Sequence, residues 1–186
     1  ERIEGYVTSV TTNLALDWLK NKREKTQPFL MLYHQKAPHR NWKPEEKYLR
    51  LFDDKTFDPP ANFFDDYSNR GTAAKSQEML IAASEEQIAA AHGNGGHGRW
   101  GHDFKMLTDP YGNATGFERE LERFNPEQKQ AWLDAYTPKN EAMKSMNLQG
   151  QELALWKFNR YLKDYLRTIQ SVDDGVGEVL NYLDQE

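Results

Sequence analysis

The sequence predicts an α/β fold, rich in helix and carrying few strands. Three observations lead there. The run Phe29-Leu30-Met31-Leu32-Tyr33, preceded by Pro28, is short, apolar and unalternating, which is the pattern of a strand buried on both faces under helices. Ahead of it, Thr8 to Lys25 reads as an amphipathic helix that feeds the strand through a short turn, half of an α/β unit. From Gln151 to Leu183, the residues Phe158, Leu162, Tyr165, Ile169, Val172, Val176, Val179 and Leu183 alternate spacings of four and three, a continuous helical stripe.

Composition sets the outer bounds. The 186 residues are enough for one domain, and a hydrophobic share of 38% against 28% charged residues suits a globular protein on the polar side. A net charge of −5 argues against a general nucleic-acid binder, which needs a concentrated basic surface. The one basic cluster, from Lys20 to Lys25, falls where the first helix should end and complements its dipole. Without cysteine the chain has no disulfide, no zinc thiolate and no cysteine nucleophile of its own. No apolar stretch approaches the roughly 20 residues of a membrane span. No signal peptide is visible, and a start at Glu1 without an initiator methionine is what a missing upstream segment would leave.

Taken in order, Thr8 or Ser9 can cap the first helix, and Leu14, Trp18 and Leu19 recur along its apolar face. Thr26-Gln27-Pro28 ends it. After the strand come His34, Gln35, Lys36, His39, Arg40 and Asn41, with Pro38 stiffening the turn. Ligands in open α/β sheets sit just beyond the carboxyl ends of strands, so this loop suggests an anion-binding or catalytic edge. A polar loop leaving a core strand is the plainer alternative. Pro44 to Leu51 reads as a short helix with proline in its first turn, and Asp53 to Asp66 as irregular chain around Pro59-Pro60. Arg70 to Ala91 is alanine-rich and helical, with Ala74, Met79, Ile81 and Ile88 apolar.

Gly93, Gly95 and Gly98 satisfy G-x-G-x-x-G, but a helix precedes them where the dinucleotide fingerprint requires a strand, so no nucleotide site is expected. His92, His97 and His102 stand in the same loop and read as solvent-exposed, without a metal. Asn113-Ala114-Thr115 is a glycosylation sequon. Phe117 to Asn147 reads as two or three short helices started at Pro126 and Pro138, with Asn125 and Thr137 as caps. Residues 92–150 as a whole look like an insertion over the core. Gly175 and Gly177 weaken the last helix by about 1 kcal/mol each relative to alanine, which speaks against a free coiled coil and for close packing. The acid pairs Asp53-Asp54, Asp65-Asp66 and Asp173-Asp174 read as structural, with Asp173 bonding a neighbouring element.

The loop Lys36-Ala37-Pro38-His39-Arg40-Asn41-Trp42, following its apolar strand, resembles the middle of a type I sulfatase, of the alkaline-phosphatase-like superfamily. The flanks agree: Gly5-Tyr6 ahead of the first helix, Phe63-Phe64-Asp65-Asp66-Tyr67 with Arg70-Gly71-Thr72-Ala73-Ala74 behind, and Tyr165 through Val172-Asp173-Asp174-Gly175-Val176-Gly177. The resemblance implies that residues 1–186 are an interior segment of one catalytic domain, a fragment of a sulfatase-type α/β sandwich. Such enzymes use a formylglycine made within C/S-x-P-x-R and a calcium ion on acidic residues. The sequence contains neither motif, so calcium and formylglycine are expected in the parent enzyme with no ligands for either in this chain. The chain alone is then expected to be inactive and marginally stable, because its strand needs neighbours that the rest of its own domain would supply.

By the same resemblance His39 is the catalytic imidazole that hydrogen-bonds the sulfate ester and assists the leaving group. Near-neutral titration suits that duty. Lys36 would add positive charge, and Arg40, Asn41 and Trp42 would contact a sugar or else stabilise the loop. The variant KAPHRNW resembles glycan-degrading sulfatases of the N-acetylglucosamine-6-sulfate type. A sulfated sugar is therefore the implied substrate, with no nucleic acid or membrane as partner, in a periplasmic, extracellular or lysosomal setting. Two alternatives stand beside this: a phosphodiesterase or phosphonate hydrolase of the same superfamily, and a non-enzymatic helical interaction module with the last helix as its seam.

Overall fold

The computed structural model describes residues 3–76, 81 and 100–186. These divide into two compact units, Glu1–Leu51 with Asp164–Glu186, and Phe52–Lys163.

In the first unit, α1 (Val7–Asp17) runs on into a π-helical turn at Trp18–Lys22. Tyr6 stands at its N-cap without a side-chain cap, and the two hydroxyls expected to cap the helix lie within its first turn instead. Thr8 is fully buried, and Ser9 donates to Glu45 Oε1 at 2.7 Å. Burial pushes the Tyr6 phenol up, against the opposing pull of the Thr8 and Ser171 side chains. The helix expected from Pro44 to Leu51 shrinks to a single 3-10 turn, Glu46–Tyr48.

The buried strand expected at residues 29–33 is not formed. Among the described residues there is no strand ladder, and the one bridge joins Thr108 and Ala114. Leu30 is 86% exposed and Leu32 74% exposed, while Met31 and Tyr33 turn inward. Continuous apolar sequence encodes burial on two faces, but burial on the second face requires layers that other parts of a sheet provide. What remains is one face held against the helix side: Phe29 meets Trp18 edge-on at 5.6 Å and lies under the Arg23 guanidinium at 5.1 Å.

The last helix, α5 (Gly150–Leu183), forms over 34 residues as its periodicity predicts. Its buried line, however, is polar: Lys157, Arg160, Asp164, Arg167, Thr168 and Ser171 lose their water, whereas Val176 stays 39% exposed. In the first unit Arg167 donates to the Leu51 carbonyl at 2.8 Å and to Asp164 Oδ1 at 2.9 Å. Gly175 packs closely, since a Cβ there would lie 2.5 Å from Thr12 Oγ1, whereas Gly177 faces open space. Of the acid pair, Asp174 and not Asp173 makes the bonds. It accepts from Tyr48 Oη and from Gln170 Nε2, the latter at 2.8 Å, while Asp173 is exposed.

In the second unit α2 (Thr72–Ser76) and α3 (Phe117–Leu121) are short. The remainder of the helix expected to Ala91 lies outside the described residues except Ile81, which stands in a bend; the glycine motif, His92 and His97 also lie outside them. Asn125 and Gln128 form a reciprocal capping box that starts α4 (Pro126–Met146). That helix continues through Pro138 instead of restarting there. Pro138 and Asp134, four residues earlier, are on the exposed side, where water can take the carbonyl that proline cannot serve.

The described part of the expected insertion supplies the second unit's core, in which Trp100, Phe104, Met106 and Met143 pack with Leu153, Trp156 and Tyr161. Two buried cations lie on aromatic faces: Lys157 over Trp100 at 4.8 Å, and Arg160 over Tyr136 at 4.4 Å. Arg160 also donates to the Phe104 carbonyl and to Asn140 Oδ1, both at 2.8 Å. In the hairpin closed at Asp109, that carboxylate accepts from the Asn113 backbone at 2.8 Å and from its side-chain amide at 3.0 Å. Thr115 turns its hydroxyl inward to the Met106 carbonyl. His102 bonds the buried Asp103 carboxylate at 2.8 Å, a partner the sequence alone did not reveal. The acids Asp65 and Asp66 accept from backbone N–H groups two residues on, as turn residues do, and Asp53 pairs with Lys139 at 2.6 Å.

The variant Arg160→Met should lose about 3 kcal/mol in urea unfolding, because the Phe104 carbonyl and Asn140 would be left buried without their donor. Arg160→Lys should recover little of it, since one ammonium cannot reproduce the two-armed geometry.

Candidate functional site

The loop that follows the extended segment is tied at both ends and open in between. At its far end Trp42 is 9% exposed, donates its indole N–H to the Pro38 carbonyl at 2.7 Å and meets Tyr165 edge-on at 5.6 Å. Trp42, which the sequence offers as a sugar contact or as a brace for the loop, is buried here and bonded to the loop's own backbone. The loop's own turn is closed by the His39 N–H, which donates to the Lys36 carbonyl at 3.0 Å. Within this stretch the Ala37–Pro38 and Arg40–Asn41 peptide bonds are cis.

His39 is exposed, with Nδ1 2.6 Å from the Arg40 carbonyl. A carbonyl oxygen only accepts, so Nδ1 carries a hydrogen. In the neutral ring Nε2 is then the acceptor, and in the protonated ring it is a second donor. An imidazole oriented in this way through one nitrogen presents the other for a proton transfer or for a hydrogen bond to an anion. Lys36 is also exposed, while Arg40 and Asn41 are half-buried. Two cationic side chains and an imidazole therefore share one short turn. His34, just before it, is exposed too.

Sequence reasoning missed the residues that hold this loop: Thr12, Tyr33 and Gln35 on one side and Tyr165 on the other. Tyr33 fits a strand by its composition, but its hydroxyl also demands a partner wherever it is buried. Thr8 and Thr12 stand four apart on α1, a spacing that puts two hydroxyls on one helix face and was legible in advance.

Among the described residues no group of three His, Asp or Glu side chains can hold an ion, and the sequence lacks the formylglycine motif. No described helix is long and apolar enough to cross a membrane.

Comparison with known proteins gives one consistent answer. The family model Sulfatase matches residues 2–186. An N-acetylglucosamine-6-O-sulfatase of Bacteroides thetaiotaomicron is 37% identical over 185 residues, covering 98% of this chain and 31% of that protein. A solved structure, in complex with its substrate D-glucosamine-2-N,6-O-disulfate, superposes with a TM-score of 0.80 at 35% identity, over 98% of this chain and 35% of that one. The α/β fold class is that of this sulfatase structure. The chain spans about a third of the length of the relatives it matches.

Replacing Trp42 by Phe keeps a ring against Tyr165 and removes the bond to the Pro38 carbonyl along with part of the buried ring. The expected cost is about 1 kcal/mol in thermal unfolding, with faster hydrogen exchange at the His39 amide. Unchanged exchange would mean the indole does not brace the loop.

Proposed function

Since this chain belongs to the sulfatase family, we propose that its protein hydrolyses a sulfate ester on a sulfated carbohydrate, of the N-acetylglucosamine-6-sulfate type. The observation that carries this reading is His39, exposed on a loop of matching sequence with Nδ1 committed to a carbonyl and Nε2 turned to no described partner. Sulfate-ester cleavage leaves an alkoxide that is a poor leaving group unless a proton reaches it. A protonated His39 can supply that proton, or hydrogen-bond the ester oxygen, from Nε2. Lys36 adds positive charge beside it, and Arg40 and Asn41 offer donors to sugar hydroxyls. Trp42 acts through the loop. The activated nucleophile and the calcium ion belong to parts of a sulfatase whose motifs are not in this sequence, and the remaining strands of such a domain would cover Leu30 and Leu32. A site outside the cytoplasm, periplasmic, extracellular or lysosomal, fits this substrate class.

The test uses the complete protein that contains this sequence, assayed for sulfate release from N-acetylglucosamine 6-sulfate. His39→Ala should lower kcat by about 10²- to 10⁴-fold with the fold retained, and Lys36→Met should chiefly raise KM. Full activity of His39→Ala would remove the imidazole from the mechanism. Preferential cleavage of an aryl phosphodiester would move the assignment to the phosphoryl branch of the superfamily.

A further inference from the structure

A one-way chain of hydrogen bonds leads from α1 to the residue before Lys36. Thr12 Oγ1 donates to the Thr8 carbonyl at 2.9 Å, which uses the only proton that hydroxyl has. Tyr33 Oη lies 2.5 Å from Thr12 Oγ1, so in this pair the phenol must be the donor. The phenol oxygen then accepts from Gln35 Nε2 at 2.6 Å. Gln35 Nε2 also approaches the Thr8 carbonyl at 3.4 Å. Every donor is thereby directed, and the order is set by a backbone carbonyl that can only accept. Thr8 and Thr12 are buried, at 0% and 2% exposure, so water does not compete for the bond between them, while Tyr33 and Gln35 are half-buried. Gly175 of α5 closes the other side. A methyl group there would meet Thr12 Oγ1 at 2.5 Å and Tyr33 Oη at 2.8 Å.

Gln35 is bonded covalently to Lys36, whose carbonyl receives the His39 N–H. The relay therefore fixes the near end of the turn just as Trp42 fixes the far end. We infer that Thr12, Tyr33 and Gln35 are positioning residues that hold the His39 imidazole at its working place, an inference that rests on the sulfatase reading above. None of the three needs to touch substrate. Their effect belongs in kcat, because a reacting proton is sensitive to displacements of an ångström or less, whereas binding of the sugar through other groups is not.

The experiment compares Thr12→Val, Thr12→Ser, Tyr33→Phe and His39→Ala in the complete protein, with N-acetylglucosamine 6-sulfate as the probe and folded fraction checked by circular dichroism. Thr12→Val keeps the shape and removes the relay's central oxygen, while Tyr33→Phe removes a single oxygen and is the gentler control for folding. Each should lower kcat by about 10- to 100-fold at nearly unchanged KM. Thr12→Ser, which keeps the hydroxyl, should restore it. The double variant Thr12→Val with Tyr33→Phe should be no worse than the poorer single one, since a broken chain cannot be broken twice. If His39→Ala is crippled while Thr12→Val and Tyr33→Phe turn over like wild type, or lose activity only in proportion to unfolded protein, the inference fails and the sulfatase reading stands. If His39→Ala is fully active, there is no working imidazole to position and the inference falls with the role given to His39; if the wild-type protein releases no sulfate, it is the sulfatase reading that falls.

Discussion

Along α5 the side chains that leave water are mostly ones that resist leaving it. Lys157, Arg160, Asp164 and Arg167 are at most 6% exposed, and Thr168 and Ser171 continue the line. A buried charge without a partner costs several kcal/mol, so each position admits only a backbone arrangement that brings a carbonyl, a carboxylate or an aromatic face to it. Arg160 draws in the Phe104 carbonyl, Asn140 and the Tyr136 ring; Arg167 draws in the Leu51 carbonyl and Asp164. An apolar face would have accepted many registers at little cost. This one accepts few, and so fixes which loops end where within each unit.

That constraint also marks the limit of what pattern reading can see. The length of α5 was legible from its spacing, as were the cap at Asn125 and the close approach at Gly175. The face it buries was not. The apolar stripe from Phe158 to Leu183 and the buried stripe from Lys157 to Val179 run side by side, offset by about one residue, and hydrophobicity alone cannot rank a stripe of satisfied cations. Pro138 misled for a related reason. Proline forbids one backbone bond, but on an exposed face water replaces it, and nothing local tells which face will be exposed.

The segment at residues 29–33 and the loop behind it teach the opposite lesson. The family was legible in the sequence, yet the five apolar residues find only one covered face in the structure. A strand is a relation between segments, and an apolar run reports the demand for neighbours without supplying them. The turn from Lys36 to Trp42 is different because its constraints are short-range. A carbonyl on His39 Nδ1, an indole on Pro38 and a glutamine side chain at its root suffice to shape it. The polar residues that do this work were individually unremarkable in the sequence: a threonine, a tyrosine and a glutamine whose hydrogen-bonding order appears only when they are brought together.

The hairpin closed at Asp109 bears on the order of events in the life of the chain. An oligosaccharide attached at Asn113 would need the side-chain amide nitrogen free and the Thr115 hydroxyl within reach of the transferring enzyme. In the folded protein that nitrogen is engaged by the Asp109 carboxylate and that hydroxyl is buried on the Met106 carbonyl. In a eukaryotic secretory host the closed hairpin would therefore withhold the threonine hydroxyl from that enzyme, so a glycan would have to be added before closure, whereas the substituted amide keeps one N–H and could still donate to Asp109.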